Sequence, residues 1–258
     1  AGAGAALDAQ GPVRRSGPAW TDNGSYLVLR RLRQDVAGFR AFVDRIAADE
    51  GLDRDVVGAK LFGRYPSGAP LERVHGMPSS VDPAAGDPSR HDPSLLGAQR
   101  RLAFEFAADP DGRIVPLAAH IRKAYPRDTP TAFGGEADTQ THRLLRRGIP
   151  FGRSLPRDLP DDAATFPDDR GLVFACYQSS IARQFEWVQE RFVNDPDFPR
   201  RGAGPDPVVG MVESGATISV PGARREHIDL VQRFVTTTGG GYFFTPSRSA
   251  LRILATEA

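Results

Sequence analysis

The sequence contains one cysteine, Cys176, among 258 residues, and this excludes an internal disulfide framework. It also lacks any apolar run near the roughly 20 residues that a membrane-spanning helix needs. Basic and acidic residues nearly cancel, at 33 and 32, so the chain lacks the basic excess that drives nucleic-acid binding. These absences favour a soluble globular protein that acts on a small or neutral substrate. The apolar neighbours of Cys176 predict a buried thiol.

The beginning of the chain, residues 1–23, is rich in Ala, Gly and Pro and shows no apolar periodicity. It has neither the charged n-region nor the continuous apolar h-region of a signal peptide. We therefore predict a linker or processed segment over residues 1–23 and a folded domain over residues 24–258. The pattern is compatible with a cytoplasmic protein and with export together with a missing N-terminal part.

Local patterns predict a strand and two helices in the first part of this domain. Apolar and polar residues alternate over residues 25–33, which is typical of a strand. A second short helix is predicted over residues 53–62, and residues 66–93 are dense in Pro, Gly, Ser and Asp, which predicts a long surface excursion. Between the strand and this second helix, Asp35 is a reasonable cap for a first helix, whose apolar residues are Val36, Phe39, Phe42, Val43 and Ile46.

The rest of the chain predicts further strands and helices. We predict a short strand at residues 144–146, a fully buried strand at 171–177 and a helix over 181–192. Another helix is predicted after Pro221, with Ile228, Val231 and Val235 as its apolar residues, and a last strand at 242–244 after three glycines. This order predicts an α+β fold with a ferredoxin-like antiparallel sheet, helices on one face and a long insertion between the first helix and the second strand.

One of the five histidines stands out by its setting. His120 follows an apolar stretch, residues 116–119, and three cations come after it, namely Arg122, Lys123 and Arg127. A histidine in such a setting serves either as a metal ligand or as a hydrogen-bonded core residue, and the local pattern alone does not separate the two. The other four histidines lie among charged or Pro/Gly-rich neighbours and are predicted to be exposed. They are His75, His91, His142 and His227.

Four segments, in order along the chain, resemble a known family. They are PLAAHIRKAYPRD at residues 116–128, LLRRGIPFG at 144–152, GLVFACYQSSIARQFEWVQERFV at 171–193 and FVTTTGGGYFFTPSRSAL at 234–251. Together they are similar to the C-terminal half of the dye-decolorising (DyP-type) haem peroxidases, and residues 23–36 resemble the opening of that half. The resemblance implies a ferredoxin-like haem-binding domain with haem b as its cofactor.

The resemblance also implies roles for individual residues. His120 would be the proximal ligand of the haem iron, with Glu186 as a possible hydrogen-bond partner. Arg146 would be the distal arginine that stabilises bound peroxide, with two rivals, Arg143 and Arg147. The cations predicted to pair with the haem propionates are Arg122, Lys123 and Arg127.

One part of the family pattern is missing. These peroxidases carry a Gly-x-x-Asp-Gly motif whose aspartate helps to move the peroxide proton, whereas the single Asp-Gly pair here, Asp111-Gly112, lacks the first glycine. In the family this motif lies upstream of the matched segments. We therefore expect a second polypeptide, produced by proteolytic processing or by a separate gene, that carries the N-terminal half and the distal aspartate and forms a heterodimer with this chain. Loss of these residues is the alternative.

The function implied by the resemblance is that of a haem peroxidase. It would use hydrogen peroxide to oxidise dyes, phenols or similar donors through a ferryl intermediate. Bulky donors would deliver electrons through surface aromatic residues, for which the candidates are Trp187, Tyr242 and Tyr125. The alternative is a haem-binding or haem-carrier subunit without efficient turnover. A third interpretation is an interaction subunit with an empty pocket.

Overall fold

The computed structural model describes residues 18–74, 104–155, 169–211, 215–225, 227–230 and 232–257. Most of the predicted linker, most of the predicted excursion, His75 and His91 lie outside these ranges. The strands are β1 (Ser25–Gln34), β2 (Leu145–Phe151), β3 (Gly171–Gln178), β4 (Thr217–Ser219), β5 (His227–Asp229) and β6 (Val235–Thr245). The α-helices are α1 (Val36–Glu50), α2 (Arg54–Phe62), α3 (Leu71–Val74), α4 (His120–Ala124), α5 (Glu136–Thr141) and α6 (Arg248–Glu257).

Two further elements are helical but not α-helical. A short 3₁₀ helix, Ala19–Thr21, precedes β1. The chain between β3 and β4 forms a π-helix, made of Ile181–Glu186 and Val188–Val193, which confirms the helix predicted there and gives it wider turns. No helix within the described ranges has the length and apolar character to cross a membrane.

Four strands form one antiparallel sheet in the order β2-β3-β1-β6, and β4 pairs with β5 in a separate hairpin. The helix α1 follows β1, and the π-helix lies between β3 and β6 in the chain. Strand, helix, two strands, helix and strand, with the first and third strands in the centre, is the ferredoxin-like arrangement. The predicted α+β class is therefore confirmed.

The first two helices begin and end where local chemistry favours it. The carboxylate of Asp35 accepts a hydrogen bond from the Gly38 backbone N–H at 2.8 Å, which satisfies a free donor at the start of α1. Asp53, predicted as the start of α2, is its N-cap and accepts from Asp55 and Val56. Gly51 ends α1 with a φ of 67°, a left-handed conformation that glycine adopts at little cost.

Two predictions from the C-terminal part are wrong. The apolar spacing of Ile228, Val231 and Val235 suggested a helix, yet Ile228 lies in β5, buried between two exposed neighbours, and Val235 begins β6. The glycines 239–241 were expected to precede the last strand, yet β6 runs through them. A Cβ on Gly240 would lie 2.1 Å from the Leu29 carbonyl oxygen, so the close approach of β1 requires glycine there.

The sheet has two unlike faces. We call the side that carries Val28 and Cys176 the inner face, because both side chains are fully buried there against Phe185 of the π-helix. The opposite, outer face carries a row of paired residues across all four strands: Leu145, Tyr177, Leu27 and Phe243. Tyr177 is 40% exposed and the residues 172–175 are only partly buried, so β3 is not the fully buried strand that its apolar sequence predicted.

The helices α1 and α2 have a core of their own. Phe42 and Ile46 of α1 and Val57 of α2 belong to a cluster that the β4–β5 hairpin closes with Ile218 and Ile228. No residue of the four-stranded sheet belongs to this cluster. Within the described residues, the sheet and the main helical layer therefore do not share one apolar core.

Candidate functional site

His120 is the first residue of α4, and its imidazole is held by a buried carboxylate. The Nδ1 atom of His120 lies 2.7 Å from Oδ2 of Asp206, whose side chain is completely buried. The other carboxylate oxygen, Oδ1, accepts hydrogen bonds from the backbone N–H groups of Val208 at 2.8 Å and Val209 at 3.0 Å. These two donors fix the orientation of the carboxylate that faces the imidazole.

This arrangement selects one tautomer of His120. An anionic carboxylate accepts the Nδ1 proton, so the lone pair of the neutral ring lies on Nε2. The side chain is 28% exposed, and no hydrogen bond from a described residue occupies Nε2. A carboxylate behind a histidine in this way orients the ring and raises its basicity as a metal ligand. His120 is therefore prepared to bind a metal through Nε2.

The partner of His120 is not the one suggested by the sequence. Glu186, the predicted partner, instead accepts a hydrogen bond from the Tyr242 hydroxyl at 3.0 Å. Asp206 lies between Pro205 and Pro207 and is separated from His120 by 86 positions. No periodicity or spacing links the two residues, so only the folded chain reveals the pair.

Of the three candidate distal arginines, Arg146 is the one on the inner face. It pairs across the sheet with Cys176, whereas its neighbour Arg147 lies on the outer face. Arg143 precedes β2 and donates through Nη1 to Oε1 of Gln140 at 3.0 Å. Burial raises the pKa of the Cys176 thiol to about 11, while the nearby charges of Arg30 and Arg146 oppose that rise. Arg146 itself is exposed.

His120 and Arg146 lie on the same side of the sheet. Phe185, in the first part of the π-helix, packs against Cys176 on the inner face. Cys176 is the residue that pairs with Arg146 of the neighbouring strand, and both lie on this face. The second part of the π-helix, Val188–Val193, packs against α4, which begins with His120. The π-helix thus joins the histidine helix to the face that carries the arginine.

The side chains of this site suit a metal ion that is already coordinated by a cofactor. No group of three or more His, Cys, Asp or Glu side chains in the described ranges could hold a bare ion. A single neutral imidazole, backed by a carboxylate, is instead the usual protein ligand of haem iron. A guanidinium on the same side of the sheet adds a fixed positive charge. These residues fit a haem.

Two cations predicted to bind haem propionates are used inside the protein instead. Arg122 is fully buried and donates to the Val115 carbonyl at 3.0 Å and to the Asp109 carbonyl at 2.8 Å. Lys123 is also fully buried, and its Nζ donates to two backbone carbonyls. This corrects the prediction for both residues, because neither reaches an external carboxylate.

Arg127, the third cation, is half-buried and lies 4.1 Å above the ring of Phe104. It has a positive φ of 57°. Burial lowers the pKa of its guanidinium, as expected for a cation that is partly removed from water. Its contact with a propionate stays a prediction.

The pairing of Arg122 with Asp109 predicts a strong effect on stability. The Asp109 carboxylate also accepts hydrogen bonds from three backbone N–H groups, those of Arg113, Ile114 and Val115. Removing it in D109A leaves a buried guanidinium without its carboxylate counter-charge, so we expect the free energy of unfolding to fall by about 3–5 kcal/mol. Denaturant unfolding measures this change. D111A removes only an exposed pair with Arg200 and should be nearly neutral; equal losses in both variants would contradict the assignment.

The predicted aromatic candidates and His142 occupy defined positions. His142 was expected to be exposed but is buried, and its ring stacks on Trp187 with a centroid distance of 4.6 Å. Tyr242 is 44% exposed, while Tyr125 is half-buried beneath the guanidinium groups of two arginines. Tyr242 is therefore the most accessible of the three aromatic candidates.

Comparison with known proteins places this geometry in one family. The profile described as Dyp-type peroxidase, C-terminal, matches residues 5–199. The dye-decolorizing peroxidase msp1 of Mycetinis scorodonius is 31% identical over 258 residues, with 91% of this chain and 47% of that protein covered. The multifunctional dye peroxidase DyP2 of Amycolatopsis sp. is 34% identical over 245 residues, with coverages of 90% and 49%.

A solved structure and a second type of relative extend the comparison. The crystal structure of an ancestral D-type dye decolorizing peroxidase aligns with a TM-score of 0.75 at 31% identity, covering 95% of this chain and 54% of that one. The deferrochelatase of Yersinia pestis is 28% identical over 229 residues, covering 88% of this chain and 33% of that protein. The chain spans about half the length of the dye peroxidases that it matches. The profile match over most of its length shows that the chain belongs to the family of Dyp-type peroxidase C-terminal domains.

Proposed function

We propose that this chain is the haem-binding half of a peroxidase that uses hydrogen peroxide to oxidise dyes, phenols or similar donors. The observation that carries the proposal is the His120–Asp206 pair, which leaves Nε2 free for iron on the side of the sheet where Arg146 lies. Haem b, when bound, supplies the iron at which peroxide is reduced. His120 holds that iron through Nε2, and Asp206 keeps the ring in the tautomer that can bind.

Arg146 supplies the positive charge of the distal side. An arginine guanidinium carries a fixed positive charge and has no acceptor atom, so it stabilises the peroxide anion and the negative charge that develops as the O–O bond breaks. For the same reason it cannot accept the peroxide proton. Asp111, in the single Asp-Gly pair, is exposed and paired with Arg200 at 2.9 Å, so it is not a candidate for that task.

The missing acid is supplied, in this proposal, by a separate polypeptide equivalent to the half of the relatives that this chain does not span. The outer face supports such a partner, because contiguous exposed apolar side chains usually mark an interaction surface. These side chains are Leu145, Ile149, Tyr177 and Phe243. Since β2 is at the edge of the sheet, a partner on the outer face can reach around it to Arg146. In the relatives both halves belong to one longer chain.

Stopped-flow mixing of the haem-loaded protein with hydrogen peroxide tests this function. Rapid formation of a ferryl spectrum, followed by oxidation of a phenolic donor, is the expected result. Native and denaturing mass spectrometry of the protein from its own cells should show a complex that separates into two different polypeptides. A single polypeptide with full turnover would overturn the partner, though not the peroxidase.

A second function is favoured by the relative named deferrochelatase. In that case the chain binds or passes on haem without efficient turnover, and a sequence without the Gly-x-x-Asp-Gly motif agrees with this. Slow bleaching of the haem by peroxide, without a ferryl spectrum, would support it. A purified protein without Soret absorbance, even after incubation with haem, would instead support an interaction subunit with an empty pocket.

A further inference from the structure

Lys123 is a buried cation one helical turn after His120. Its side chain is fully buried, and Nζ donates to the carbonyl oxygens of Asp195 at 2.6 Å and Phe198 at 2.5 Å. Burying an ammonium group is expensive unless carbonyl or carboxylate oxygens compensate for the lost water. The protein has only one other lysine, Lys60. The cost of burying this ammonium group indicates a specific role for Lys123.

The segment held by Lys123 is the one that carries Asp206. The backbone N–H of Asp206 donates to the Val193 carbonyl at 3.0 Å, and that of Gly204 donates to the Pro196 carbonyl at 2.8 Å. Residues 193–206 therefore fold back on themselves. The helix α4 contacts this folded segment at two points, through His120 at the Asp206 carboxylate and through Lys123 at the carbonyls of residues 195 and 198. Lys123 thus fixes the carboxylate relative to the imidazole.

The charge of Lys123 also acts on Asp206. Burial lowers the pKa of the Lys123 ammonium to about 8, and the carboxylates of Asp206, Asp195 and Asp197 oppose that fall, Asp206 most strongly. At pH 6 the side chain is therefore protonated. A positive charge near a carboxylate weakens its ability to attract a proton from a hydrogen-bond donor. The buried Lys123 cation therefore weakens the attraction of the Asp206 carboxylate for the Nδ1 proton of His120.

We propose that Lys123 is a positioning residue that acts on iron through the His120–Asp206 pair, because its positive charge limits the negative charge that Asp206 confers on the imidazole. The proposal rests on the proposed haem-binding function. A less anionic proximal ligand stabilises ferrous relative to ferric iron, because the ferric state carries the additional positive charge. Lys123 therefore raises the ferric/ferrous reduction potential of the bound haem.

The test replaces the charge in two ways. K123M keeps most of the apolar stem, and K123Q keeps an N–H donor for the two carbonyls. At pH 6, both variants loaded with haem b should show an equilibrium constant for one-electron reduction about tenfold lower, a potential about 59 mV more negative. The Fe–His stretching frequency of the ferrous protein should rise, because a more anionic imidazole binds iron more strongly.

The control is K60M, which makes the same substitution at the other lysine. The charge that acts on Lys60 is that of Asp109, which lies outside the segment of residues 193–206, so both readouts should remain at their wild-type values. A potential that is unchanged or raised in K123M and K123Q would overturn the proposal, as would an equal shift in K60M.

A readout without haem separates this proposal from the proposed function. In the haem-free protein, the NMR resonance of the His120 Nδ1 proton should move to lower field in K123M and K123Q but not in K60M. An unmoved resonance would overturn the role of Lys123 whether or not the protein binds haem. A moved resonance in a protein that fails to bind haem would support Lys123 as a positioning residue and contradict the haem function.

Discussion

Replacing Arg146 by leucine is expected to slow the reaction of the haem-loaded protein with hydrogen peroxide by about 10²–10³-fold. The guanidinium lies on the inner face and offers a fixed positive charge to a peroxide anion on the His120 side of the sheet. Leucine keeps much of the side-chain volume but offers neither charge nor hydrogen-bond donors. Stopped-flow rates against peroxide concentration measure the loss, and haem content should stay the same.

R147L is the matched control for this prediction. Arg147 is the next residue of the same strand, is also exposed, and lies on the outer face. Removing its charge changes the net charge of the protein by the same amount, so R147L should react with peroxide at nearly the wild-type rate. Equal losses in the two variants would indicate a general electrostatic effect and would contradict the role of Arg146.

The second large effect is expected at Asp206, where replacement by asparagine should lower haem affinity more than replacement by alanine. Two backbone N–H groups hold Oδ1 of Asp206, so an asparagine would keep its carbonyl oxygen there and turn its NH₂ group toward His120. The imidazole would then accept at Nδ1 and carry its proton on Nε2, where iron must bind. We expect haem affinity to fall by about 10- to 100-fold in D206N.

Haem titration followed by Soret absorbance measures this change. D206A removes the carboxylate without presenting an opposing donor, so the ring remains free to adopt either tautomer and the loss should be smaller than in D206N. If D206A binds haem less tightly than D206N, the tautomer of His120 does not control haem binding. In that case the carboxylate would act through its charge alone.

Much of the fold could be predicted from short-range patterns. The alternation of residues 25–33 became β1, and Asp35 and Asp53 cap the helices expected after them, because capping and periodicity are local properties. The secondary-structure prediction failed where one stretch of sequence fits both the helical and the alternating strand pattern. Ile228 and Val235 are seven residues apart, which suits a helix, but Ile228 alternates with exposed neighbours and lies in a hairpin strand.

The candidate site was predictable only in part, because its contacts join distant parts of the chain. The segment around His120 and the strand around Arg146 could be recognised from their sequences. The sequence could not show that Asp206 reaches His120, nor that Arg122 and Lys123 turn inward, since α4 has only five residues and no periodicity to define its faces. Burial of a cation depends on partners such as Asp109 and the carbonyl of Phe198, which come from other segments.

The most direct test of this account is a haem titration of the wild-type protein and of H120G, with and without free imidazole. If His120 is the iron ligand, the wild-type protein should bind about one haem per chain with a histidine-ligated Soret spectrum. H120G should lose that spectrum, and imidazole should restore it by occupying the space left by the side chain. A spectrum that is the same in H120G and in the wild-type protein would contradict the assignment of His120.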